Sequence, residues 1–523
     1  MQRTDGFLRV LLVSILLSGS LSASAQPAGA PKGKLVLAWH TSIASKWLDP
    51  QEHDGTATPD NFLNALHDAL IKNSRDTLFD HPGLAERYEF AADARSATFW
   101  LRPGITFHNG APVTVQDVKF SFEHYRGARA DLLKSKTERV EIVDERTVRF
   151  HFKEPFLDFP IIFGTSNVCG AGWIVPAKYY QEVGPDGFKQ KPIGAGPYKL
   201  VHQEAGTRLE FEAFAGYYRP VHTKQLVMIS VPEAVTRMAM LERGEADLAY
   251  LVPGEFIERL TKNPRYMLAP VLSGSWWLEF PGFQDPKNPF HDKRVRQAVS
   301  LAVDRQAINE AEMGGFGKNS GNWINSDVQY AIEWPTFEHN LEQARQLLRE
   351  AGYPNGFEVD WLTPVPTYYS RGEAIVVQLS QVGIRAKLQV MERAAFLQKL
   401  QGGLKEWPGV QIIFNSTRVG GTWANWYDAF FKCGSFNGRD RHCIKELDEK
   451  FVHYEHSTNP AERQALAAEI QRTILEQAYF VPIFRHAFLN VIGPRIAAQR
   501  WQDVFPTITT GYAYPWEDIK LKE

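Results

Sequence analysis

The sequence predicts an α/β protein of at least two domains, and three features of the chain support this fold class. Short strand patterns and capped helices alternate along most of its 523 residues. A mature chain of roughly 500 residues is longer than one hydrophobic core normally organises. Paired strands interrupt this alternation between about residues 76 and 190, which indicates a smaller α+β subdomain inserted into the first domain.

The first elements follow an α/β order. Lys34–Trp39 has the pattern of a short strand, and Asp60–Ile71 repeats apolar residues at helical spacing. Thr114 and Asp117 have the spacing of a capping box at the start of a helix. A β-hairpin is predicted within residues 140–152.

The rest of the chain repeats the alternation more uniformly. Asp292 and Asn340 stand where each would cap a helix, and Asn459 precedes Pro460 at the start of another. The predicted strands are Tyr198–Val201, Leu209–Ala213, Leu226–Val231, Ala246–Val252, Phe357–Trp361, Arg385–Val390 and Val410–Phe414. These elements predict a second α/β lobe.

The first 25 residues are typical of a secretory signal peptide. Arg3 and Arg9 supply positive charge, Val10–Leu17 is a short apolar run, and Ala23–Ala25 ends the segment with small residues. The apolar run is too short to span a bilayer, and no later stretch approaches about 20 uninterrupted apolar residues. No cysteine near the expected cleavage after Ala25 is available to carry a lipid. We therefore expect a periplasmic protein that is not a lipoprotein.

The charge of the chain narrows the class of partner. The formal net charge is −2 and no Lys/Arg block is present, which argues against nucleic acid.

Cys433 and Cys443 lie close together in a segment rich in Gly, Asn and Arg. An exported chain can oxidise such a pair, so a local disulfide is predicted. We interpret the third cysteine, Cys169, as a small buried apolar residue.

Four ordered segments of the mature chain resemble one family. The most specific is LRPGITFHNGAPVTVQDVKFSFE (Leu101–Glu123), which combines a strand, a glycine turn and the capped helix. The others are KPIGAGPYKL (Lys191–Leu200), LERGEADLAY (Leu241–Tyr250) and PFHDKRVRQAVSLAVDRQAI (Pro289–Ile308). In this order they resemble the peptide/nickel/opine family, family 5, of extracellular solute-binding proteins of ABC transporters. Their glycines and caps have structural roles, so none of these motif residues is placed in a site.

The resemblance implies an α/β, two-lobed periplasmic-binding-protein fold of type II, with hinged lobes and an additional inserted α+β subdomain. Ligand would lie between the lobes, and two crossover strands would close them over it. The expected division is 1–25 for the signal peptide, 26–75 with 191–285 and 495–523 for lobe I, 76–190 for the inserted subdomain, and 286–494 for lobe II.

Aromatic residues near strand ends are the first candidate ligand contacts, since the chain has 14 tryptophans. In the family the loop after the first strand lines the cleft, and here it begins with Trp39 and His40. A lone loop histidine also fits a structural role. Trp276 and Trp277 fall where the family chain crosses to the second lobe. Adjacent side chains on a strand point to opposite faces, so one ring can be core while the other faces the cleft.

The segment Asn415–Cys433 is the richest in candidates. It follows a predicted strand, and loops at strand ends are where open α/β sheets place ligands. The ligand-binding candidates here are Arg418, Trp423, Asn425, Trp426, Tyr427 and Asp428. Arg418 suits a carboxylate or phosphate, and the rings suit a flat or sugar-like ligand. Packing beneath the loop is the alternative interpretation of the rings.

An acidic residue expected from the resemblance is missing from this segment. Peptide binders of the family carry an acid after the arginine that pairs with the α-ammonium group, but Trp423 or Ala424 occupies its place. A buried ammonium without a counter-charge costs several kcal/mol. Either Asp428 or Glu279 replaces the acid, or the ligand lacks a free N-terminus.

Together these features predict the periplasmic component of an ABC importer that captures a short peptide and delivers it to permease subunits in the inner membrane. A non-peptide ligand, such as an opine, an oligosaccharide or a metal chelate, is the alternative. An exported hydrolase is a third class, but the chain has no G-x-S-x-G, H-E-x-x-H or P-loop motif, so we expect no enzyme. We also expect a monomer without cofactor or metal site. His453 and His456 are spaced along a helix but lack a third metal ligand.

Overall fold

The computed structural model describes residues 30–53, 58–72, 81–165, 171–325, 328–366, 368–417, 422–435, 441–505 and 512–522. Three sheets organise these described residues: a mixed sheet of 11 strands, an antiparallel sheet of four strands and a pair of two strands. Helices and strands alternate along the chain as an α/β fold requires.

The strands are β1 Lys32–Trp39, β2 Ile71–Lys72, β3 His81–Pro82, β4 Ala85–Phe90, β5 Ser96–Leu101, β6 Thr137–Ile142, β7 Thr147–Phe152, β8 Tyr198–Glu204, β9 Arg208–Ala213, β10 Thr223–Ser230, β11 Leu248–Ala249, β12 Met267–Glu279, β13 Lys318–Asn319, β14 Phe357–Pro364, β15 Ile384–Leu388, β16 Gln411–Thr417 and β17 Phe480–Ile492. The α-helices are α1 Asp60–Leu66, α2 Val115–His124, α3 Ala130–Lys136, α4 Ala177–Gln190, α5 Ala234–Glu242, α6 Ile257–Thr261, α7 Lys293–Ala302, α8 Arg305–Met313, α9 Leu341–Glu350, α10 Tyr369–Ser380, α11 Arg393–Gln401, α12 Trp423–Phe430, α13 Lys445–His456 and α14 Pro460–Glu476.

The large sheet extends through both halves of the molecule in the order β8-β9-β10-β1-β11-β17-β12-β16-β14-β15, and its eleventh strand, β13, pairs with β17. At one end β1 lies parallel to both β10 and β11, and we call this half lobe I. At the other end β14 lies parallel to β15 and β16, and with α7 to α14 it forms lobe II. The long strands β12 and β17 lie between them.

The four-stranded sheet, in the order β4-β5-β7-β6, belongs to a separate body. Its hydrophobic core draws on residues from Leu70 to Ala195. The rings of Phe150 and Phe159 lie at its centre, 4.7 Å apart. We call residues 81–190 the inserted subdomain, because its core is separate from those of the two lobes.

The capping patterns read from the sequence are confirmed. The side chain of Thr114 accepts a hydrogen bond from the Asp117 amide, and the Asp117 carboxylate accepts one from the Thr114 amide at 2.8 Å. Asp292 and Asn340 cap α7 and α9 through their side chains. These local signals succeed because a capping residue needs only its own first turn.

One predicted helix is shorter than expected, since α1 ends at Leu66 and Ile71 belongs to a strand. The reason is a close approach by the chain returning from the inserted subdomain. The amide of Gly196 donates to the Leu66 carbonyl at 3.0 Å. A Cβ on Gly194 would collide with the same carbonyl oxygen, so only glycine fits there.

The predicted strand Ala246–Val252 is also shorter, because β11 contains only two residues. Leu251 has a φ of 46°, which ends the extended conformation. Its neighbour Tyr250 still donates its amide to the Ala38 carbonyl, at 3.2 Å. This turn holds the Tyr250 side chain at the end of β1.

Cys433 and Cys443 form a disulfide, with their Cα atoms 4.5 Å apart. The bridge joins the segment after α12 to the segment before α13. The Cys433 amide also donates to the Asp448 carboxylate on α13, at 2.9 Å. The bridge therefore constrains how these two helices are connected. Cys169 lies outside the described residues.

Replacing Cys433 and Cys443 together with serine is expected to lower the free energy of unfolding by about 3 kcal/mol, the chain-entropy value for a closed loop of about ten residues. Urea unfolding of the oxidised protein and the variant measures this difference. Dithiothreitol should weaken the natural protein and leave the variant unchanged. Equal midpoints for the two oxidised proteins would contradict the expectation.

Within the described residues, no helix combines the length and the apolar character needed to cross a bilayer. The segment predicted as a signal peptide, residues 1–25, lies outside the described part of the chain.

Candidate functional site

The two long strands form a hinge between the lobes. β12 and β17 pair antiparallel along their length, but their register shifts between Leu272 and Ser275 and again between Trp276 and Trp277. From Ser275 onward β12 also pairs with β16 of lobe II, whereas β17 pairs with β11 of lobe I at Val491. Each strand therefore starts in one lobe and ends in the other, and the break in the ladder marks the point between them.

The strand directions bring the carboxyl ends of both lobes to this point. β12 enters lobe II and β16 is antiparallel to it, so β16 and its parallel neighbour β14 end toward lobe I. β17 returns to lobe I and β11 is antiparallel to it, so β11 and its parallel neighbour β1 end toward lobe II. Open α/β sheets bind ligands at the carboxyl ends of their strands. We call the region between these strand ends the cleft.

An aromatic cluster forms the lobe I side of the cleft. Trp39, at the end of β1, is fully buried against Phe62, Tyr250 and Tyr512, with ring centroids 4.7 to 5.4 Å away. His40 is half-buried and stacks on Tyr250 at 5.8 Å. Of the two predicted residues, His40 is thus the more exposed one, and the buried Trp39 ring packs beside it.

On the lobe II side, the Trp276 ring packs against the buried guanidinium of Arg371. The Arg371 guanidinium lies 5.0 Å from the Trp276 ring and 4.5 Å from the Tyr368 ring. It contacts His486 Nδ1 on β17 at 3.0 Å and donates to Glu312 at 3.3 Å. Burial lowers the pKa of Arg371, although Tyr368 and Glu312 oppose this shift. The cluster fastens α10 to both hinge strands.

Trp277 points to the other face of β12, as strand alternation predicts. Its ring stacks on Phe480 with centroids 5.4 Å apart, and its Nε1 donates to Glu279 at 2.9 Å. Trp276 and Trp277 belong to two different hydrophobic cores of lobe II. Both rings are buried, whereas the sequence allowed one of them to face the cleft. A role in solute binding stays a prediction for both.

The segment expected to be an aromatic loop contains a helix, α12. Trp423, Trp426, Tyr427 and Phe430 fall at positions i, i+3, i+4 and i+7, which gives one apolar face. The Trp423 ring packs edge-on against Tyr454, with centroids 4.8 Å apart. All four rings lie in the core beneath α13 and α14. The helical spacing is visible in the sequence, but the position after a strand favoured a loop.

The remaining members of the segment differ in their surroundings. Asn425 is buried on α12. Asp428 is bound by Arg129 of the inserted subdomain, whose Nη1 lies 2.7 Å from its carboxylate. Arg418 lies outside the described residues, directly after β16. Its role therefore stays a prediction.

Glu279 lies at the centre of a fully buried polar cluster. Its carboxylate accepts hydrogen bonds from Asn415 at 2.7 Å, His442 at 2.8 Å and Trp277 at 2.9 Å, with Arg441 Nε at 3.6 Å. Burial alone would raise the pKa of Glu279, but His442, Arg441 and Asn415 outweigh it and lower the pKa to about 2. Glu279 is thus ionised and serves as the counter-charge of a buried arginine.

A cavity of about 50 Å³ lies on lobe I, lined by Lys46, Trp47, Asp49, Glu52, His53 and Pro59. Pockets for organic ligands usually measure about 300 to 1,000 Å³. This cavity is therefore too small for an organic solute. Within the described residues, no group of three or more His, Cys, Asp or Glu side chains is arranged to hold a metal ion.

The structure also places, beside the strands that border the cleft, buried residues that sequence reasoning did not select. Tyr250 was recognisable as an aromatic residue at a strand end, but Tyr512 lies in a distant tail with no local signal. On β12, the Ser275 hydroxyl donates to Asn325 at 2.7 Å, and both residues are buried. Their proximity depends on the pairing of strands far apart in the chain.

Comparison with known proteins identifies the family. The model of the bacterial extracellular solute-binding proteins, family 5 Middle, matches residues 81–419, which is more than half of the chain. The chain belongs to this family. The match confirms the resemblance found in the sequence.

Similar proteins cover most of this family 5 chain. The glutathione-binding protein GsiB of Salmonella typhi is 26% identical over 541 residues, covering 97% of this chain and 98% of the relative. Heme-binding protein A of Haemophilus influenzae is 25% identical over 477 residues, covering 82% and 83%.

Two solved structures share the fold. NikA from Brucella suis, in complex with Fe(III)-EDTA, has a TM-score of 0.80 at 22% identity and covers 94% of this chain and 100% of that chain. The periplasmic binding protein DppA from Helicobacter pylori, in complex with the peptide STSA, has a TM-score of 0.78 at 20% identity and covers 94% and 98%. The two-lobed periplasmic-binding-protein fold predicted for this family 5 protein is confirmed.

Proposed function

We propose that this family 5 protein is the periplasmic solute-binding component of an ABC importer, which captures a short peptide in the cleft and delivers it to permease subunits in the inner membrane. The observation that carries the proposal is the hinge, since the carboxyl ends of parallel strands from both lobes meet across two crossover strands. The glutathione and peptide STSA named for the relatives support a peptide-sized solute.

The proposal includes the export and assembly of the chain. The signal peptide is cleaved after Ala25, and the mature protein is a monomer that is not a lipoprotein. It binds no nucleic acid and performs no catalysis, so it releases its solute unchanged. Its domains follow the division 26–75 with 191–285 and 495–523, 76–190, and 286–494.

The mechanism is a population shift between an open and a closed form. A solute that contacts both lobes binds the closed form more tightly, and this difference in affinity stabilises closure. The permease then recognises the closed form. Residues from both sides of the hinge must therefore contribute to affinity.

Among the predicted ligand contacts, His40 and Arg418 come first. His40 is half-buried at the end of β1, and Arg418 is the next residue in the sequence after β16, so loops after carboxyl strand ends are where we expect both contacts. Trp39 supports His40 through its packing. The other predicted contacts, which we place behind these on the ground of burial or internal pairing, are Trp276, Trp277, Trp423, Asn425, Trp426, Tyr427 and Asp428.

One observation favours a solute without a free α-ammonium group. The two acids that would replace the missing counter-charge are both occupied, Asp428 by Arg129 and Glu279 by His442 and Arg441. Releasing either acid would leave a buried arginine without its partner, which is costly. An N-blocked peptide, an opine or another non-peptide solute avoids this cost.

Native mass spectrometry of the protein purified from the periplasm tests the proposal. We expect a mass excess in the native complex that disappears on denaturation, together with a released compound of constant structure. A released short peptide supports peptide capture. A released compound without an amino terminus supports the alternative, a solute without a free α-ammonium group. Conversion of the compound by the purified protein, or the absence of any bound solute under several growth conditions, would contradict the proposal.

A further inference from the structure

The inserted subdomain is fastened to lobe I by several polar contacts. The Arg126 amide donates to the Gln51 carbonyl at 3.0 Å, and the Arg126 guanidinium donates to Glu52 at 2.8 Å. The Tyr180 hydroxyl donates to the buried Asp49 carboxylate at 2.6 Å. Because backbone and side chains both take part, the inserted subdomain and lobe I move as one body.

The same subdomain also contacts lobe II, to which the chain connects it only through lobe I and the hinge. Arg129, just before α3, pairs with Asp428 on α12 at 2.7 Å, and these side chains are 5% and 18% exposed. Lys136, at the end of α3, pairs with Glu455 on α13 at 2.6 Å, and these side chains are 8% and 15% exposed. Both pairs thus bridge the two moving bodies while largely shielded from water.

Two further carboxylates of the subdomain extend this contact. Asp158 accepts a hydrogen bond from the Thr422 hydroxyl at 2.9 Å and lies 3.6 Å from Arg463 Nη2 on α14. Glu154 lies 2.9 Å from His456 Nε2 on α13. We call these five contacts, namely Arg129–Asp428, Lys136–Glu455, Thr422–Asp158, Arg463–Asp158 and Glu154–His456, the clasp.

The positive and negative side chains of the clasp stabilise each other's charged forms. Burial by itself would lower the pKa of Lys136, but Glu455 and Glu154 outweigh it and raise the pKa. Lys432 of lobe II adds a second positive charge 3.4 Å from Glu455 and 3.6 Å from Asp428. Exposed ion pairs contribute little to stability, but pairs shielded from water are screened less by salt. The clasp therefore contributes to the energy of the contact.

We propose that the clasp holds lobe II against the inserted subdomain in the closed form and sets solute affinity from outside the solute site. This inference rests on the proposed function, because it assumes that the solute binds on closure. Rotation about β12 and β17 separates lobe II from the body formed by lobe I and the subdomain, so opening breaks the clasp. The free energy of the clasp is then added to closure, and the apparent affinity follows the population of the closed form.

A double-mutant cycle on the first pair tests this inference. The variants Arg129→Gln, Asp428→Asn and their combination are compared by calorimetric titration with the solute recovered from the protein. We expect each single variant to bind about fivefold more weakly, and the double variant to bind no more weakly than the singles. Arg129 belongs to the subdomain and not to the proposed solute contacts, so non-additivity identifies the pair rather than a lost solute contact at Asp428.

A matched control and an independent pair complete the design. Lys119 and Glu123 form an ion pair within α2, 3.8 Å apart, that does not reach lobe II. Lys119→Gln should leave affinity unchanged, whereas Lys136→Met should lower it like Arg129→Gln. Thermal melting of each variant confirms that it is folded. Affinities of Arg129→Gln and Lys136→Met equal to that of Lys119→Gln would overturn the inference.

Small-angle scattering of the solute-free proteins separates this inference from the proposed function. If no solute is found, the proposed function fails, and the radius of gyration alone decides the role of the clasp. A larger radius for Arg129→Gln and Lys136→Met than for Lys119→Gln supports the clasp. Equal radii in that case would overturn it.

Discussion

We expect Glu279→Gln to lower the free energy of unfolding by about 3–5 kcal/mol, the usual effect of removing one partner of a buried ion pair. The amide would leave Arg441 buried without its counter-charge and would change the hydrogen bonds with His442 and Asn415. Urea unfolding followed by tryptophan fluorescence measures the loss, since Trp277 donates to the same carboxylate.

The effect should also depend on pH in a defined direction. The pKa of Glu279 falls from an ordinary 4.5 to about 2 on folding, so its contribution is complete above about pH 4.5 and is lost as the pH falls toward 2. The variant should lack this part of the acid-induced loss of stability. Glu358→Gln is the matched control, because Glu358 lies on β14 of the same lobe and is 68% exposed. Equal losses for the two variants would contradict a central role for Glu279.

Trp423→Ala should produce a loss of similar size, about 3–5 kcal/mol, because it removes a large ring from a packed core. The ring is 0% exposed and packs against Phe451 and Tyr454. Helices α13 and α14 pack in the same hydrophobic core as Trp423, so the unfolding midpoint of lobe II should fall. Thermal unfolding and urea titration of the solute-free protein check this result.

Trp361→Ala is the control for this substitution, since Trp361 lies on β14 and is 38% exposed. It should cost much less stability than the change at Trp423. Solute affinity measured well below the melting temperature distinguishes packing from direct contact. If Trp423→Ala left the stability unchanged but weakened solute binding about tenfold, the result would indicate that this ring contacts the solute.

Much of the fold was predictable because its signals are local. Thr114 with Asp117, and Asp292 at the start of α7, act within one helical turn, and the structure confirms them. The ends of elements were less predictable. The end of α1 depends on Gly194 and Gly196, which return to it from more than a hundred residues away along the chain.

The site was harder to predict, because its contacts join residues far apart in sequence. Arg129 and Asp428 are separated by 299 positions, and Lys136 and Glu455 by 319. Sequence reasoning offered Asp428 as a replacement for the missing acid, and its ion pair with Arg129 of another domain was not visible in the sequence. Tryptophans were selected for their chemistry, but spacing within α12 decides that Trp423 faces the core.

The break in the β12–β17 ladder and the Arg129–Asp428 pair are two separate places at which lobe II is held. In the proposed closed form the hinge and this pair together limit the rotation of lobe II, so the width of the cleft is limited as well. A solute thicker than that width keeps the charged pairs apart, and a thinner one touches only one wall. In the proposed mechanism, part of the selectivity is then a selection by molecular thickness, set by an ion pair between two domains in addition to the groups that contact the solute.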